Sequence, residues 1–332
     1  MKVAITGATG NIGTSLIRSL STSPTVGCII GIARRPGPES MPKTEWHAAD
    51  VATDDLTAIF EDVDVVVHLA WAIQPSRKRD VTRRVNVSGS AAVFEAAARA
   101  GVGAIVYSSS VGAYSPRAGT DRQVDETWPV DGIDTSFYSR DKADVETVLD
   151  TFEKENPGIR VVRLRPALIF KRETATGIRK LFFGMGVPRI MFSRRLLRIV
   201  PDTPGLVFQA VHSHDVGEAF RLAITGDSHG AFNLAADPVF DADELAETLN
   251  ARKVPVPRRF LRGAAAATWR LHLQPSPEGW IDMATKAPIM DSSRARTELG
   301  WRPRHTSREA LLDLLQGLRD GDSYPTPALS AN

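Results

Sequence analysis

In "TGATGNIG", residues 6–13, three glycines stand three apart directly after a short β-branched run. No other stretch restricts the fold as much, because a turn this poor in side chains serves close approach to the backbone. Gly7 permits a tight turn, Gly10 lets a pyrophosphate come against the main chain, and Gly13 lets the following helix pack closely on its strand. The first N–H groups of that helix then face the phosphates. The spacing marks a dinucleotide-binding turn only between a strand and a helix, so the surrounding sequence has to supply both.

The first half of the chain supplies that context. Apolar, β-branched runs at 3–6, 28–33, 63–68, 104–108 and 160–164 read as strands, and apolar positions three or four apart over 11–20, 81–100 and 137–154 read as helices. This alternation implies βαβ units and a parallel sheet covered on both faces. Beyond Arg165 the pattern becomes irregular, with prolines at 166, 188, 201 and 204, before helical periodicity returns over 214–224, 241–250 and 307–318. With 42% hydrophobic and 24% charged residues, the 332-residue chain has the composition of a globular protein with a sizeable core.

Its formal net charge of only +2 gives no global attraction to nucleic acid or to an anionic membrane. The lone Cys28 cannot form an internal disulfide and reads as a core filler in a reducing compartment. The first strand opens at Lys2, which leaves no leader, and no run of about 18 uncharged apolar residues is present. The expected location is the cytoplasm, with no membrane span and no nucleic-acid partner. No His/Cys/Asp spacing suggests a metal.

At the end of the second strand, "GIARRPG" places Ala33 where an acid would hold the ribose 2′-hydroxyl of NAD, and Arg34 and Arg35 follow. Two guanidinium groups suit a 2′-phosphate, so NADP(H) is preferred and NAD(H) remains possible. The bland alternative is a pair of solvated surface arginines. Further on, Tyr138 and Lys142 in "YSRDK" lie one helical turn apart on one face. A nearby ammonium favours the phenolate and draws the tyrosine toward acid/base work. Upstream, "VYSSSVGAY" at 106–114 ends a strand in three hydroxyls that can hold a substrate oxygen.

Together these stretches, with "HAADV" at 47–51, "DVVVHLAW" at 64–71, "VNVSGS" at 85–90, "RLRPALIF" at 163–170 and "ELGWRPR" at 298–304, resemble the extended short-chain dehydrogenase/reductase superfamily. This is the group also labelled NAD-dependent epimerase/dehydratase. The resemblance implies an α/β fold, a doubly wound parallel sheet (Rossmann fold), with a smaller, mostly C-terminal substrate-binding domain. Residues 1–165 with a returning segment at about 206–236 would bind NAD(P), 166–205 and 237–320 would bind substrate, and 321–332 would be a loose tail. It also implies a homodimer paired through the helices at 81–100 and 137–154.

By resemblance Ser110, four before Tyr114, is the catalytic hydroxyl, with Tyr138 as acid/base and Lys142 as its lysine; Ser108 and Ser109 are the alternatives to Ser110. Cofactor contacts would come from Gly7, Gly10, Asn11, Ile12, Gly13, Arg34, Arg35, Asp50, Val51, Leu69, Ala70, Asn86, Ser108, Tyr138, Lys142, Pro166 and Ile169. Trp71, Ile73, Tyr114, Phe182 and Phe183 are the pocket candidates. Ser110 and Tyr138 would hold a carbonyl oxygen while hydride passes to or from nicotinamide C4.

Departures from the family pattern narrow the chemistry. Dehydratases of the group place an Asp-Glu pair after the catalytic hydroxyl, where this chain has Val111 and Gly112. Nucleotide-sugar enzymes often carry an arginine four residues before the histidine of the late motif, and in "VFQAVHSHDV" that position is Phe208. His212 and His68 read as structural residues. These features favour an NADPH-dependent carbonyl reductase or alcohol dehydrogenase acting on a small hydrophobic metabolite. An NAD-dependent NDP-sugar epimerase is the alternative, and a non-catalytic dinucleotide sensor a third possibility.

The segment 171–205 is both basic and oily. Lys171, Arg172, Arg179, Lys180, Arg189, Arg194, Arg195 and Arg198 face only Glu173 and Asp202, with Leu181, Phe182, Phe183, Met185, Ile190, Met191 and Phe192 between them. A substrate lid, a reversible membrane contact and a solvated helix packed by its apolar face are all compatible with this pattern.

Overall fold

The computed structural model describes residues 1–74, 76–119, 123–183 and 198–330, with the side chain of Phe183 outside that set. The expectations for Met185, Arg189, Ile190, Met191, Phe192, Arg194 and Arg195 also fall outside the described residues.

Seven strands form the central sheet: β1 (Lys2–Thr6), β2 (Cys28–Ala33), β3 (Thr44–Ala48), β4 (Val65–His68), β5 (Ala104–Ser108), β6 (Arg160–Pro166) and β7 (Gly230–Leu234). Their spatial order is 3-2-1-4-5-6-7 and every pairing is parallel. Successive side chains on a strand point to opposite faces, so a sheet covered on both sides needs apolar residues at every position. In β1, Val3 and Ile5 join one core with Leu16, Val65, Val67 and Phe220, while Ala4 joins the other with Ile30, Val66, Phe94 and Leu149. Each such fully buried side chain contributes on the order of 1.5–3 kcal/mol of transfer free energy.

The first face is covered by α1 (Asn11–Ser21) and α4 (Ser213–Thr225), and the second by α2 (Gly89–Arg99) and α3 (Phe137–Glu155). Further helices are α5 (Arg258–Arg270), α6 (Gly279–Lys286) and α7 (Ser307–Asp320). The doubly wound parallel sheet is as the sequence suggests. The helix expected over 81–100 is instead two pieces, Arg79–Arg83 and α2, joined by a π-helical turn at Arg84–Ser88. Strands β3 and β7 went unrecognised in the sequence.

Three short parallel pairs lie outside this sheet: Leu168–Phe170 with Ala210–His212, Ile199–Asp202 with Arg252–Pro255, and Gln123–Val124 with Ile289–Met290. The end of the chain is not loose where it is described: Thr326 is 1% and Leu329 6% exposed. No helix among the described residues is long and apolar enough to cross a membrane.

Candidate active site

Strand order reverses at β1, which has β2 on one side and β4 on the other, and ligands of open parallel sheets bind beyond the strand C-termini at such a point. The glycine turn stands there. Gly7 has φ +71°, and a Cβ on it would lie 2.7 Å from the Ala70 nitrogen, so only glycine lets this turn rest on the Leu69–Ala70 backbone. A Cβ on Gly13 would overlap the Ala8 carbonyl, whereas above Gly10 only the Gly7 carbonyl is near, at 3.2 Å. Gly10 caps α1 without a side-chain bond, and the first turn of α1 holds no acid. The open backbone and uncapped N–H groups fit a dinucleotide pyrophosphate.

Around this turn the other expected cofactor residues line the same edge of the sheet. Asn11 donates from Nδ2 to the Ile169 carbonyl at 3.2 Å, tying the 166–169 segment to α1, and its buried Oδ1 has no partner. Ile12 packs on the first core. Arg34 and Arg35 are exposed just beyond β2. Beyond β3, Asp50 Oδ1 accepts the Ala52 N–H, and Val51 is buried. Asn86, on the π turn, is fully buried: its amide exchanges two bonds with Ala72, at 2.7 and 2.9 Å, and reaches Asp141 at 3.1 Å. Those bonds fix the loop after β4, in keeping with the architectural role that the resemblance implies for Asn86.

The hydroxyl triplet that follows β5 is sorted by its partners. Ser108 gives its carbonyl to Lys142 Nζ at 2.6 Å, and Ser109 donates to Glu146 at 2.5 Å. Ser110 accepts the Gly112 N–H at 3.0 Å, and its hydroxyl lies near enough to the Tyr138 phenol to favour the ionised form. A Cβ on Gly112 would lie 2.9 Å from Tyr138 Cε1, so the glycine here makes room for the tyrosine ring. The helix that carries Tyr138 and Lys142 is started by Ser136, which accepts the Ser139 N–H.

Burial raises the Tyr138 pKa, and the Ser110 hydroxyl works against that rise. Burial thus outweighs the pull toward phenolate expected of the nearby lysine. The Lys142 ammonium also donates to Tyr107 at 3.3 Å and lies 3.5 Å from the centre of the Trp71 ring. Burial holds the Lys142 pKa well below its usual value, against the pull of Glu146 and Asp141.

Aromatic rings close the front of the site. Trp71 meets Tyr138 edge-on at 5.9 Å, Trp280 lies 5.1 Å from Tyr138, and Phe182 meets Trp280 edge-on at 4.9 Å. Sequence reasoning missed Trp280. It is delivered by α6, whose Gly279 lies so close to the chain before α3 that a Cβ would come 2.5 Å from the Thr135 carbonyl. A tryptophan directly after a glycine at the start of an amphipathic stretch was the available signal. The indole nitrogens of Trp71 and Trp280 are buried without a hydrogen-bond partner.

Other expectations divide. Ile73 is partly exposed in the loop after β4. Tyr114 is not a pocket residue: it is fully buried, and its hydroxyl donates to Asn233 at 2.7 Å and accepts from Arg165 at 3.0 Å. His68 is structural, sandwiched between Thr6 and Ser90 at 2.7 and 2.8 Å, with burial and Lys142 lowering its pKa to about 3. His212 stacks on His305 at 4.0 Å and caps α4. Among the described residues no cluster of His, Cys, Asp or Glu could hold a metal.

An uncharacterized protein of Mycobacterium tuberculosis is 28% identical over 326 residues, 96% of this chain, although the chain spans only 30% of that relative's length. The decarboxylating sterol-4-alpha-carboxylate 3-dehydrogenase of Saccharomyces cerevisiae is 32% identical over 143 residues, 41% of this chain and 40% of its own. Among solved structures, UDP-glucose 4-epimerase of Thermotoga maritima with UDP-glucose superimposes with a TM-score of 0.70 at 22% identity, covering 97% of this chain and 99% of that one. The family model described as "NAD dependent epimerase/dehydratase family" matches residues 3–235. The chain thus belongs to the NAD-dependent epimerase/dehydratase family.

Proposed function

We propose that the chain is an NADP(H)-dependent oxidoreductase acting on the carbonyl or alcohol of a small hydrophobic metabolite, with Ser110, Tyr138 and Lys142 as its reacting set. The observation that carries this reading is the Tyr138 phenol, set on one face of α3 with Lys142 and met by the Trp71 and Trp280 rings. Phe208 supports it. Its ring packs at 5.2 Å on Phe240, so an apolar contact fills the position where nucleotide-sugar enzymes often carry an arginine.

The dinucleotide, when bound, supplies or accepts hydride at nicotinamide C4. Gly10, Asn11, Ile12 and Gly13 hold the pyrophosphate, Arg34 and Arg35 the 2′-phosphate, and Asp50 and Val51 the adenine side. Leu69, Ala70, Ser108, Pro166 and Ile169 line the nicotinamide half. Ser110 and Tyr138 donate hydrogen bonds to the substrate oxygen. The raised Tyr138 pKa keeps the phenol protonated near neutrality, the form that gives a proton to a carbonyl oxygen as it is reduced. In the reverse direction Tyr138 takes the alcohol proton. Lys142 holds the nicotinamide ribose hydroxyls. Segments 166–205 and 237–320 supply the substrate side, and the chain works as a cytoplasmic homodimer paired through α2 and α3.

A nucleotide-sugar epimerase with retained NAD is the second reading. It is favoured by the likeness to UDP-glucose 4-epimerase and by Arg117, whose buried Nη1 has no acceptor while Nη2 binds the Gly205 and Thr285 carbonyls. Acid release of bound nucleotide, followed by titration with NADPH and NADH, separates the two. Exchangeable NADPH with a clear preference over NADH is expected. Tightly retained NAD would overturn the reductase reading and make nucleotide sugars the first substrates to try.

A further inference from the structure

Two features remain without a role: the buried Lys171, and the segment that follows α7. Lys171 is 1% exposed, and its ammonium donates to the Asn11 carbonyl at 3.0 Å, Thr14 Oγ1 at 2.7 Å and Ser15 Oγ at 2.9 Å. All three acceptors are uncharged and all belong to the first turns of α1. The Asn11 carbonyl also accepts from Thr14 Oγ1 at 3.1 Å and from Ser213 Oγ at 3.2 Å.

Residues 322–330 cross the same region. Thr326 donates to the Thr9 carbonyl at 2.8 Å, and the Tyr324 ring centre lies 5.6 Å from the Lys171 ammonium. Arg35 donates to the Pro327 carbonyl at 3.4 Å. The far side of the segment is anchored on the stretch beyond β6: Thr176 donates to the Asp322 carbonyl at 2.7 Å, Lys180 to the Ser330 carbonyl at 3.1 Å, and Leu329 is 3.5 Å from the position of a Cβ on Gly177.

These contacts have a directional consequence. In a trans peptide the C=O and N–H point opposite ways. The Asn11 carbonyl points up α1 as helix geometry requires, and the Lys171 ammonium and Ser213 hydroxyl hold it there, so the Ile12 N–H stays directed at the open end of α1. Thr326 holds the Thr9 carbonyl, which leaves the Gly10 N–H directed at Gly7, its partner at 3.0 Å, and so fixes the turn. A cation buried beneath a helix N-terminus without a paired carboxylate adds to the positive potential that an anion would meet there. Burial lowers the Lys171 pKa to about 8, against the attraction of Glu173 and with the repulsion of Arg18.

We propose that Lys171 and Thr326 are positioning residues of the dinucleotide site, and that segment 322–330 is an outer clamp holding the glycine turn in its phosphate-binding form. The proposal rests on the dinucleotide site alone. It does not depend on NADP over NAD or on a carbonyl substrate.

ADP and AMP are the probes, because ADP carries the pyrophosphate but neither nicotinamide nor 2′-phosphate. Dissociation constants are measured for the full chain, T326V, T326S, K171M and a chain ending at Gly321, each checked for its thermal midpoint. T326V should weaken ADP about 5-fold, the value of one lost hydrogen bond, with AMP nearly unchanged and T326S restoring the affinity. K171M and the shortened chain should lose about 10-fold or more for ADP, so that the ADP-over-AMP preference shrinks. An unchanged preference in T326V and in the shortened chain would overturn the clamp, as would tighter ADP binding on shortening, which would make the segment inhibitory. Absence of ADP binding to the unaltered chain would remove the site and the clamp with it, while leaving the carbonyl chemistry to be judged on its own substrates.

Discussion

The two sides of Tyr138 are built from opposite materials. Behind it, ionic and polar contacts hold the serine loop: fully buried Glu146 accepts from Ser109 at 2.5 Å, from Arg165 at 2.9 and 3.0 Å, and from Arg163 at 3.0 Å. Arg165 continues to Tyr114 and to the Glu126 carbonyl. In front, Trp71, Trp280 and Phe182 meet through ring faces and edges, and two indole N–H groups find no acceptor. Hydrogen bonds between charged groups fix direction to within tens of degrees, whereas ring contacts fix shape and tolerate rotation. Under the proposed function, the rear sets the position of Ser110 and Tyr138, and the front bounds the molecules that reach them.

Removing the group that stands between the two halves should have the largest effect. Y138F keeps the ring contacts with Trp71 and Trp280 but deletes the proton donor, and should cut kcat by about 10²–10⁴-fold with the NADPH dissociation constant unchanged. Steady-state rates and a cofactor titration on the same preparation check this. Full activity in Y138F would break the comparison outright, because neither half would then be organised around a reacting group.

The rear half is tested next by E146Q, which keeps shape but takes from Arg165 its carboxylate partner, while Arg163 retains Asp150 and Glu153. Breaking a buried ion pair by removing one partner costs about 3–5 kcal/mol, so denaturant unfolding should show a loss of that order. The arginines hold the Glu146 pKa at about 2, against a usual 4.5, despite its burial. A depressed carboxylate pKa stabilises the fold above the unfolded value and loses that stabilisation as pH falls from about 4.5 toward 2. E146Q should flatten this part of the acid-unfolding profile. A variant as stable as the parent, with the same acid limb, would show that the rear network carries no organising role.

How legible each half was in the sequence follows from how local its signals are. The glycine turn, its flanking strand and helix, and the Tyr138–Lys142 spacing depend on residues within one or two turns of each other, and the structure places them on one edge of the sheet. Trp280 reaches Tyr138 only because Gly279 lets α6 press against residue 135, a tertiary contact that no periodicity announces. Tyr114 was misplaced for a related reason. Its sequence distance from Ser110 was right for the motif, but its side chain turns into the core toward Asn233 and Arg165. Polar, proline-containing residues 321–332 resembled a free tail, yet 322–330 are seated by tertiary contacts, with Thr326 on the Thr9 carbonyl, Thr176 on the Asp322 carbonyl and Lys180 on the Ser330 carbonyl. The π turn that sets Asn86 opposite Ala72 likewise has no pattern of its own within an otherwise helical stretch.

The front half is sharpened by W280L, probed with NADPH and two ketones of similar size, acetophenone and cyclohexyl methyl ketone. Leucine keeps the wall apolar but removes the ring, so acetophenone should lose about 3- to 10-fold in kcat/KM, the range of one aromatic pair, and the cyclohexyl ketone much less. An equal loss for both would make Trp280 a generic apolar wall rather than a ring-selective one.

The smallest effect is expected at Phe182, the outermost ring, partly exposed and paired only with Trp280 among the ring contacts described. F182A deletes one edge-to-face pair worth about 0.5–1.5 kcal/mol, so the KM for acetophenone should rise roughly 3-fold with kcat and the thermal midpoint little altered. The direction matters more than the size. A rise means that Phe182 packs Trp280 into place for the substrate. A fall would mean that the Phe182 ring occupies the place a substrate ring must take, turning the front half from a preformed wall into a plug displaced on binding. Unchanged kinetics on both ketones would remove Phe182 from the site and shorten the aromatic half to Trp71 and Trp280.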